Sequence, residues 1–369
     1  MKKLLAVMLS LVMVMSLFTG CGSSSDKNAE AKKESSTFFK ELKKVAEIDK
    51  GTVSLEYNIN LKGDEITNST DIPAVMKSGD TIPLALKADV VTESKDKVAA
   101  KISVKYGEQT DYAELTTIAV SGSKLYLNVG SLIELAKSID EEAAKQIEDA
   151  LPQMGVTNDY VSVDIDQFLK AAGVDETTTT GNSDKLVAAV KAMMENIEKS
   201  FDKLQGQDGD DYTLTIGADN AEQVVDSIYN YIDGGFKTDA TAVIDGLAEV
   251  LGNDSELASS FDEAKKEIQN LDVEKAKENK DDMIKQLKDS KLNIVTKLNV
   301  TGDKGSRKAK LSVETGDVEN EGITMNYKYN CNIEEKDAKI TDMIPGEDSV
   351  SDITSVLISL LNAYAGGSL

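Results

Sequence analysis

Residues 52–61 read TVSLEYNINL, and their side chains alternate between apolar and polar. The apolar positions are Val53, Leu55, Tyr57, Ile59 and Leu61. A repeat of two residues is that of a β-strand, in which successive side chains point to opposite faces. The stretch therefore predicts a strand with one apolar and one polar face.

The same alternation recurs on both sides of a helical region. Further strands are predicted at 84–90, 98–106, 112–120, 124–129, 160–165, 212–216, 292–300, 309–313 and 323–333. Helices are predicted at 37–49, 131–138, 140–150, 183–204 and across 220–289, the last broken at Gly234-Gly235, at Gly252-Asn253 and near Asn270. Residues 205–211 are interpreted as a polar turn, and a last helix is predicted to begin at Asp348 or Ser349.

This order of elements predicts an α+β fold, because strands and helices do not alternate as they do in a parallel sheet. We expect a large curved antiparallel sheet, a half-barrel, covered by helices on its concave face. In one arrangement residues 37–369 form a single domain with a helical insertion at about 183–289. In the other, residues 37–172 and 210–345 form two sheet domains. The first is favoured because each strand group alone has one apolar face and needs a partner layer.

The N-terminus is typical of a secretory signal peptide that ends in a lipobox. Lys2 and Lys3 precede an uncharged apolar run, Leu4–Leu17, which is too short to span a membrane comfortably. Small residues, Thr19 and Gly20, then stand directly before Cys21. This pattern resembles bacterial lipoprotein signals, and the resemblance implies cleavage after residue 20 and lipidation of the Cys21 thiol. The protein is therefore expected to be anchored to the cell membrane by its lipid, facing outside the cytoplasm.

Residues 21–36, CGSSSDKNAEAKKESS, are small or charged and are predicted to be a flexible tether.

The 369 residues contain 41 basic and 65 acidic side chains, a net charge of −24. Residues 1–20 contain two lysines and no acid, so the processed chain carries 39 − 65 = −26. Such a surface repels nucleic acid, which is excluded as a partner, and gains nothing from anionic headgroups.

The residue types argue against most catalytic chemistry. Histidine is absent and Arg307 is the only arginine, so Ser-His or Cys-His nucleophiles and histidine metal ligands are excluded. No GxSxG, GxGxxG or P-loop pattern occurs, and no cofactor or metal is predicted. We expect no enzymatic activity; a hydrolase that uses acidic residues alone is the remaining enzymatic alternative.

Two further features are interpreted as structural. Cys331 has no partner once Cys21 is lipidated, and it lies on the apolar side of a predicted strand, so we expect a buried thiol. Asp208-Gly209-Asp210-Asp211 is similar to the start of a calcium loop, but the required glycine and the final glutamate are missing. A solvated turn is the preferred interpretation.

The helix from Phe38, the meander of strands from Val53, the inserted helices and the lipobox together resemble the half-barrel lipoproteins of the LolA, LppX and LprG type. In that superfamily, a curved sheet closed by helices holds an apolar cavity that carries lipid or acyl chains. The resemblance covers roughly residues 37–345 and implies a carrier function.

Two groups of residues are candidates for lining such a cavity, although an ordinary core explains them as well. One is the helical stripe of Met193, Met194, Ile197 and Phe201, where flexible methionines would adapt to an apolar ligand. The other is the set of strand tyrosines Tyr57, Tyr106, Tyr327 and Tyr329, whose hydroxyls suit a ligand head group. The leading hypothesis is a non-enzymatic binding or carrier protein for a lipid or another apolar ligand. The alternative is a structural or protein-interaction module of the cell envelope with a filled core.

Overall fold

The computed structural model describes residues 37–365, with gaps at 71, 95, 173–182, 252–254, 273, 275–276 and 321. The predicted signal peptide, Cys21 and the tether at 21–36 lie outside the described residues.

The strands have the following bounds. They are β1 (Gly51–Lys62), β2 (Thr81–Ser94), β3 (Lys97–Tyr106), β4 (Ala113–Ser121), β5 (Lys124–Asn128), β6 (Tyr160–Asp164), β7 (Gln205–Asp208), β8 (Asp211–Gly217), β9 (Asn293–Thr301), β10 (Lys308–Thr315), β11 (Val318–Asn320), β12 (Ile323–Glu335) and β13 (Val350–Asp352).

The helices are interspersed among these strands. They are α1 (Phe38–Ala46), α2 (Asp64–Thr67), α3 (Val129–Ile139), α4 (Glu141–Ala150), α5 (Ile165–Ala171), α6 (Ser183–Ser200), α7 (Ala221–Tyr231), α8 (Lys237–Leu251), α9 (Ser255–Gln269), α10 (Lys280–Asp289) and α11 (Thr354–Ala365).

The strands belong to one sheet in the order β13-β6-β5-β4-β3-β2-β1-β12-β10-β9-β8-β7, and β11 pairs with β12. The meander from β1 to β6 is antiparallel throughout, whereas β13 pairs with β6 in parallel. In the described part of the chain the sheet is open, with β13 and β7 at its ends. The predicted α+β class, with a large and mainly antiparallel sheet, is confirmed.

The residues group into two compact units that interleave along the sequence. Of the described residues, those of 37–48, 183–300 and 311–318 belong to unit 1, and those of 49–172, 301–310 and 319–365 belong to unit 2. Unit 2 is built on β1 to β6 and β12, with α3 packed on β4 and both α5 and α11 packed on β6. In unit 1, α1 and α7 pack on β8, and α8 packs along α6.

Helix α1 shows how local sequence sets these contacts. The Thr37 side chain caps the helix by accepting a hydrogen bond from the Lys40 amide. Phe38, Phe39, Leu42 and Val45 recur at helical spacing, and all four are buried. The helix thus places one apolar stripe in the core of unit 1.

Three predictions about elements are wrong. The polar turn at 205–211 contains a short strand, β7, which forms a hairpin with β8. The last helix begins at Thr354, because Val350–Asp352 form β13 against β6. Gly234-Gly235 does not break the helix: α7 continues through a π-helical turn, Ile232–Phe236, into α8.

Candidate functional site

The sheet of unit 2 has one apolar face, made by the odd-numbered residues of β1 and their partners. Tyr57 lies between Leu86 of β2 and Tyr329 of β12. Two residues further along β1, Ile59 pairs with Tyr327. Because side chains alternate along each strand, these partners share one face of the sheet. The predicted apolar face therefore exists as a continuous surface across neighbouring strands.

Part of this face is open to solvent. Leu86 and Met325 are each 39% exposed and Ile118 on β4 is 36% exposed, although all three lie on the apolar side of their strands. Tyr329 and Cys331 on the same face are buried. Single exposed apolar residues are ordinary, but three on one sheet face form an accessible apolar surface. We refer to Leu86, Ile118 and Met325 with the half-buried β1 side chains as the open apolar face.

Three of the four predicted tyrosines come together on this face. The rings of Tyr57 and Tyr329 lie 4.8 Å apart between centroids, tilted by 48°. Burial, followed by the charge of the neighbouring Tyr57, raises the pKa of Tyr327 to about 12. Burial also raises the pKa of Tyr57. Both hydroxyls therefore stay protonated near neutral pH.

The fourth tyrosine, Tyr106, is buried at the end of β3. Its hydroxyl lies 3.1 Å from the Ser138 Oγ, which connects the apolar face to α3. Tyr106 sits beside Leu84 in the strand register. This residue therefore acts mainly as a core side chain that holds α3 on the sheet.

The predicted helical stripe belongs to unit 1. Met193, Met194, Ile197 and Phe201 are all buried along α6 and the turn that follows it. They lie on a different unit from the four tyrosines.

Cys331 is a buried free thiol beside Leu55 in the register, as its position on the predicted strand suggests. Burial raises the pKa of the Cys331 thiol to about 11. The thiolate is the nucleophilic form, so Cys331 is protonated and unreactive near neutral pH.

The opposite face of the same sheet is polar, and charged side chains on it, such as Asp89 and Lys308, bind to neighbouring side chains. Asp89 accepts hydrogen bonds from the Ser54 hydroxyl at 2.7 Å and from Lys87 at 2.8 Å. A groove of about 410 Å³ on this part of the sheet is lined by residues that include Asp89 and Lys308. The Lys308 ammonium is itself 2.7 Å from Glu334, so the charge of Lys308 is neutralised by a partner on the protein.

The shifted pKa values in the described residues all move away from neutrality. Acidic groups such as Glu56 and Glu334 have lowered pKa values, and shifted lysines and tyrosines have raised ones. A general acid or base that works near neutral pH needs the opposite shift. The described part of the chain also contains no cluster of three or more acidic or cysteine side chains placed to hold a metal ion.

Comparison with known proteins finds no match to this chain among family models, curated proteins or solved structures. The resemblance to half-barrel lipoproteins therefore stays a prediction. Within the part of the chain that the structure describes, no helix has the length and apolarity needed to cross a membrane.

The exposed residues Leu86, Ile118 and Met325 were not singled out by the sequence, which drew attention to tyrosines and methionines instead. The signal that identifies them is a large aliphatic side chain on the apolar side of a strand. Period-two alternation places such residues on the correct face, but it does not reveal which of them a second layer covers.

Proposed function

We propose that this protein is a membrane-anchored, extracytoplasmic lipoprotein that binds or carries a lipid or another apolar ligand and catalyses no reaction. The membrane anchor would be the lipid on Cys21. The ligand would lie on the open apolar face of unit 2, with the Tyr57 and Tyr327 hydroxyls near its polar end.

The observation that carries this proposal is the exposure of Leu86, Ile118 and Met325 on one sheet face. Their accessible surface gains free energy when an aliphatic chain covers it, at about 25 cal/mol per Å². All large apolar side chains found exposed in the described residues belong to unit 2, which supports a binding surface on that unit.

Native mass spectrometry tests the proposal. Residues 23–369 keep every residue that the structure describes, and they would be incubated with a lipid extract of the host envelope. We expect a discrete added mass that denaturation releases and that is identified as a lipid. A bare protein mass after saturating exposure would contradict the carrier proposal and favour the alternative, a structural or protein-interaction module.

Paired variants locate the site. Leu86→Gln and Met325→Gln should each weaken binding of a fluorescent fatty acid about tenfold, because burying such a side chain contributes about 1.5 kcal/mol or more. Val75→Gln is the matched control, since Val75 is 46% exposed in unit 2 but lies outside the sheet. Equal losses in all three variants would place the ligand elsewhere.

A further inference from the structure

The polar face of the unit 2 sheet is rich in side-chain amides on two adjacent strands, β1 and β12. The strand register places five asparagines there, Asn58, Asn60, Asn326, Asn330 and Asn332. In the described part of the chain, the side chains of Asn60, Asn330 and Asn332 have no hydrogen-bond partner. Asn60 and Asn332 are also exposed. A side-chain amide both donates and accepts hydrogen bonds, so these groups are free to bind a polar ligand.

Neighbouring side chains hold part of this face in a fixed arrangement. The Glu56 carboxylate accepts hydrogen bonds from the Asn58 amide at 3.1 Å and from the Tyr112 hydroxyl at 2.9 Å. These bonds lower the pKa of Glu56, so its carboxylate is ionised near neutral pH. The Lys105 ammonium lies 4.8 Å from the centroid of the Tyr112 ring. Side chains that are already ordered lose little conformational entropy when a ligand binds.

The charges on this face are close to balance. In the rows through residues 52–58 of β1, it carries six lysines and four acidic residues: Lys87, Lys101, Lys105, Lys308, Lys310, Lys328, Glu56, Asp89, Glu114 and Glu334. In the whole chain, by contrast, 65 acidic side chains outnumber 41 basic ones. A face with both signs of charge and little excess of either suits a ligand that is polar but uncharged.

The groove of about 410 Å³ gives such a ligand a place on this face. Ser54, Asp89, Val91, Lys310 and Asn332 are among the residues that line it. Lys310 is exposed and has no ion pair in the described residues. An acyl chain would take Lys310 and Asp89 out of water without offering a hydrogen bond, which is costly. Sugar hydroxyls, which both donate and accept, can bind to the ammonium, the carboxylate and the Asn332 amide at once.

We propose that the polar face of the unit 2 sheet binds an uncharged polysaccharide of the cell envelope. Its hydroxyls bind to Lys310 and Asn332 in the groove and to Asn330 and Asn60 along β12 and β1. A nucleic acid or another polyanion is a poor alternative, because the net charge of −24 repels it. The inference rests on the proposed extracytoplasmic location. It does not depend on the lipid ligand, which is proposed for the opposite face.

Isothermal titration calorimetry on residues 23–369 tests the proposal. The titrant is neutral polysaccharide isolated from the host envelope and freed of protein, lipid and acidic polymers. We expect saturable binding whose affinity changes less than twofold between 50 mM and 500 mM sodium chloride, because salt screens interactions between charges and not hydrogen bonds to uncharged hydroxyls. No binding at saturating polysaccharide, or an affinity that falls tenfold or more over this range of salt, would overturn the proposal.

Two matched double variants locate the site. Lys310→Ala with Asn332→Ala should weaken polysaccharide binding about tenfold, because two hydrogen-bonding side chains of the groove are lost. Lys170→Ala with Asn362→Ala is the control, since these residues are exposed on α5 and α11 of the same unit. The control should change the affinity less than twofold. Equal losses in the two double variants would place the polysaccharide elsewhere and refute the site.

Lipid binding distinguishes this proposal from the carrier proposal. The double variant at Lys310 and Asn332 should keep the affinity of the unaltered protein for a fluorescent fatty acid, because both residues lie on the face opposite to Leu86. Leu86→Gln should in turn leave polysaccharide binding unchanged. If either variant weakened both activities while its melting temperature stayed the same, the two faces would not be separate sites, and the proposal would fail.

Discussion

The carboxylate of Glu114, on β4, binds side chains from β3, β5 and α3. Its oxygens accept hydrogen bonds from Lys101 at 2.8 Å, Thr117 at 3.0 Å, Asn128 at 2.9 Å and Ser131 at 3.1 Å. Burial alone would raise the pKa of Glu114, but the bonds from Lys101 and Thr117 lower it below its usual value. The ionised form is therefore the one that the fold stabilises.

We expect Glu114→Gln to lower the free energy of unfolding at pH 7 by about 1.5–3 kcal/mol, the range for hydrogen bonds to a charged group. A lowered folded pKa contributes stability above the unfolded value of about 4.3, and that stability is lost as the pH falls through the folded pKa. The difference between the two proteins should therefore shrink between pH 7 and pH 3 in urea titrations.

Glu134→Gln is the control for this variant. Glu134 is exposed, and in the described part of the chain its ion pair is with Lys137 on the same helix, so the change should stay below about 0.5 kcal/mol. A loss for Glu114→Gln that is the same at both pH values would mean that its carboxylate charge has no part in stability.

The chain segment after β12 packs on the sheet of unit 2 through Ile340. It passes over the polar face of the unit 2 sheet, where Ile340 packs with Ala99, Ala119 and Tyr126 in a small buried cluster. Met343 is partly buried at the edge of this cluster. The polar face thus has its own apolar area, which is covered by a segment that contains a 3-10 turn, Ile340–Asp342.

We expect Ile340→Ala to destabilise the protein by about 2–4 kcal/mol, because a fully buried side chain leaves a cavity that small neighbours cannot fill. Urea denaturation measures the loss, and Met343→Ala should cost clearly less. Equal costs would indicate that the segment is held by its backbone rather than by the cluster.

Elements with a long repeat were predictable from the sequence, and short ones were not. The strand at 51–62 and the stripe of α6 each contain several turns of their period, so their faces could be assigned in advance. Strands β7 and β13 are too short to show a repeat and form only because a neighbouring strand pairs with them. The π-helical turn at Ile232–Phe236 was likewise not predictable, since glycine pairs alone indicate a break.

The candidate site, too, was predictable from the sequence only in part. Alternation predicted the apolar face and placed Tyr57, Tyr327 and Tyr329 on it, as the strand register requires. Exposure of Leu86 depends on which elements pack against the sheet, and this long-range information is absent from any single segment.

Charge acts at the scale of the whole molecule. A net charge of −24 on the full chain means that unpaired acidic groups repel one another, and ion pairs such as Lys62–Asp80 and Lys124–Glu347 are exposed. Exposed pairs contribute about 0–1 kcal/mol each. Screening should therefore weaken repulsion more than attraction.

We expect the melting temperature of residues 23–369 to rise by a few degrees between 20 mM and 500 mM sodium chloride, where the screening length falls well below 10 Å. Differential scanning calorimetry measures this shift. A fall in melting temperature would show that the ion pairs, rather than the excess acid, dominate the electrostatic contribution to stability.

The burial of α1 has a consequence for biosynthesis. The Phe39 amide donates to the Gln205 side chain, 166 residues later in the chain, and Thr37 contacts Glu198 across 161 residues. At about 5–20 residues per second, a ribosome needs roughly 10–30 s to produce these partners. Throughout that interval two phenylalanines near the start of the nascent chain lack their binding surface. The protein is thus expected to be a client of holding chaperones until synthesis passes residue 205.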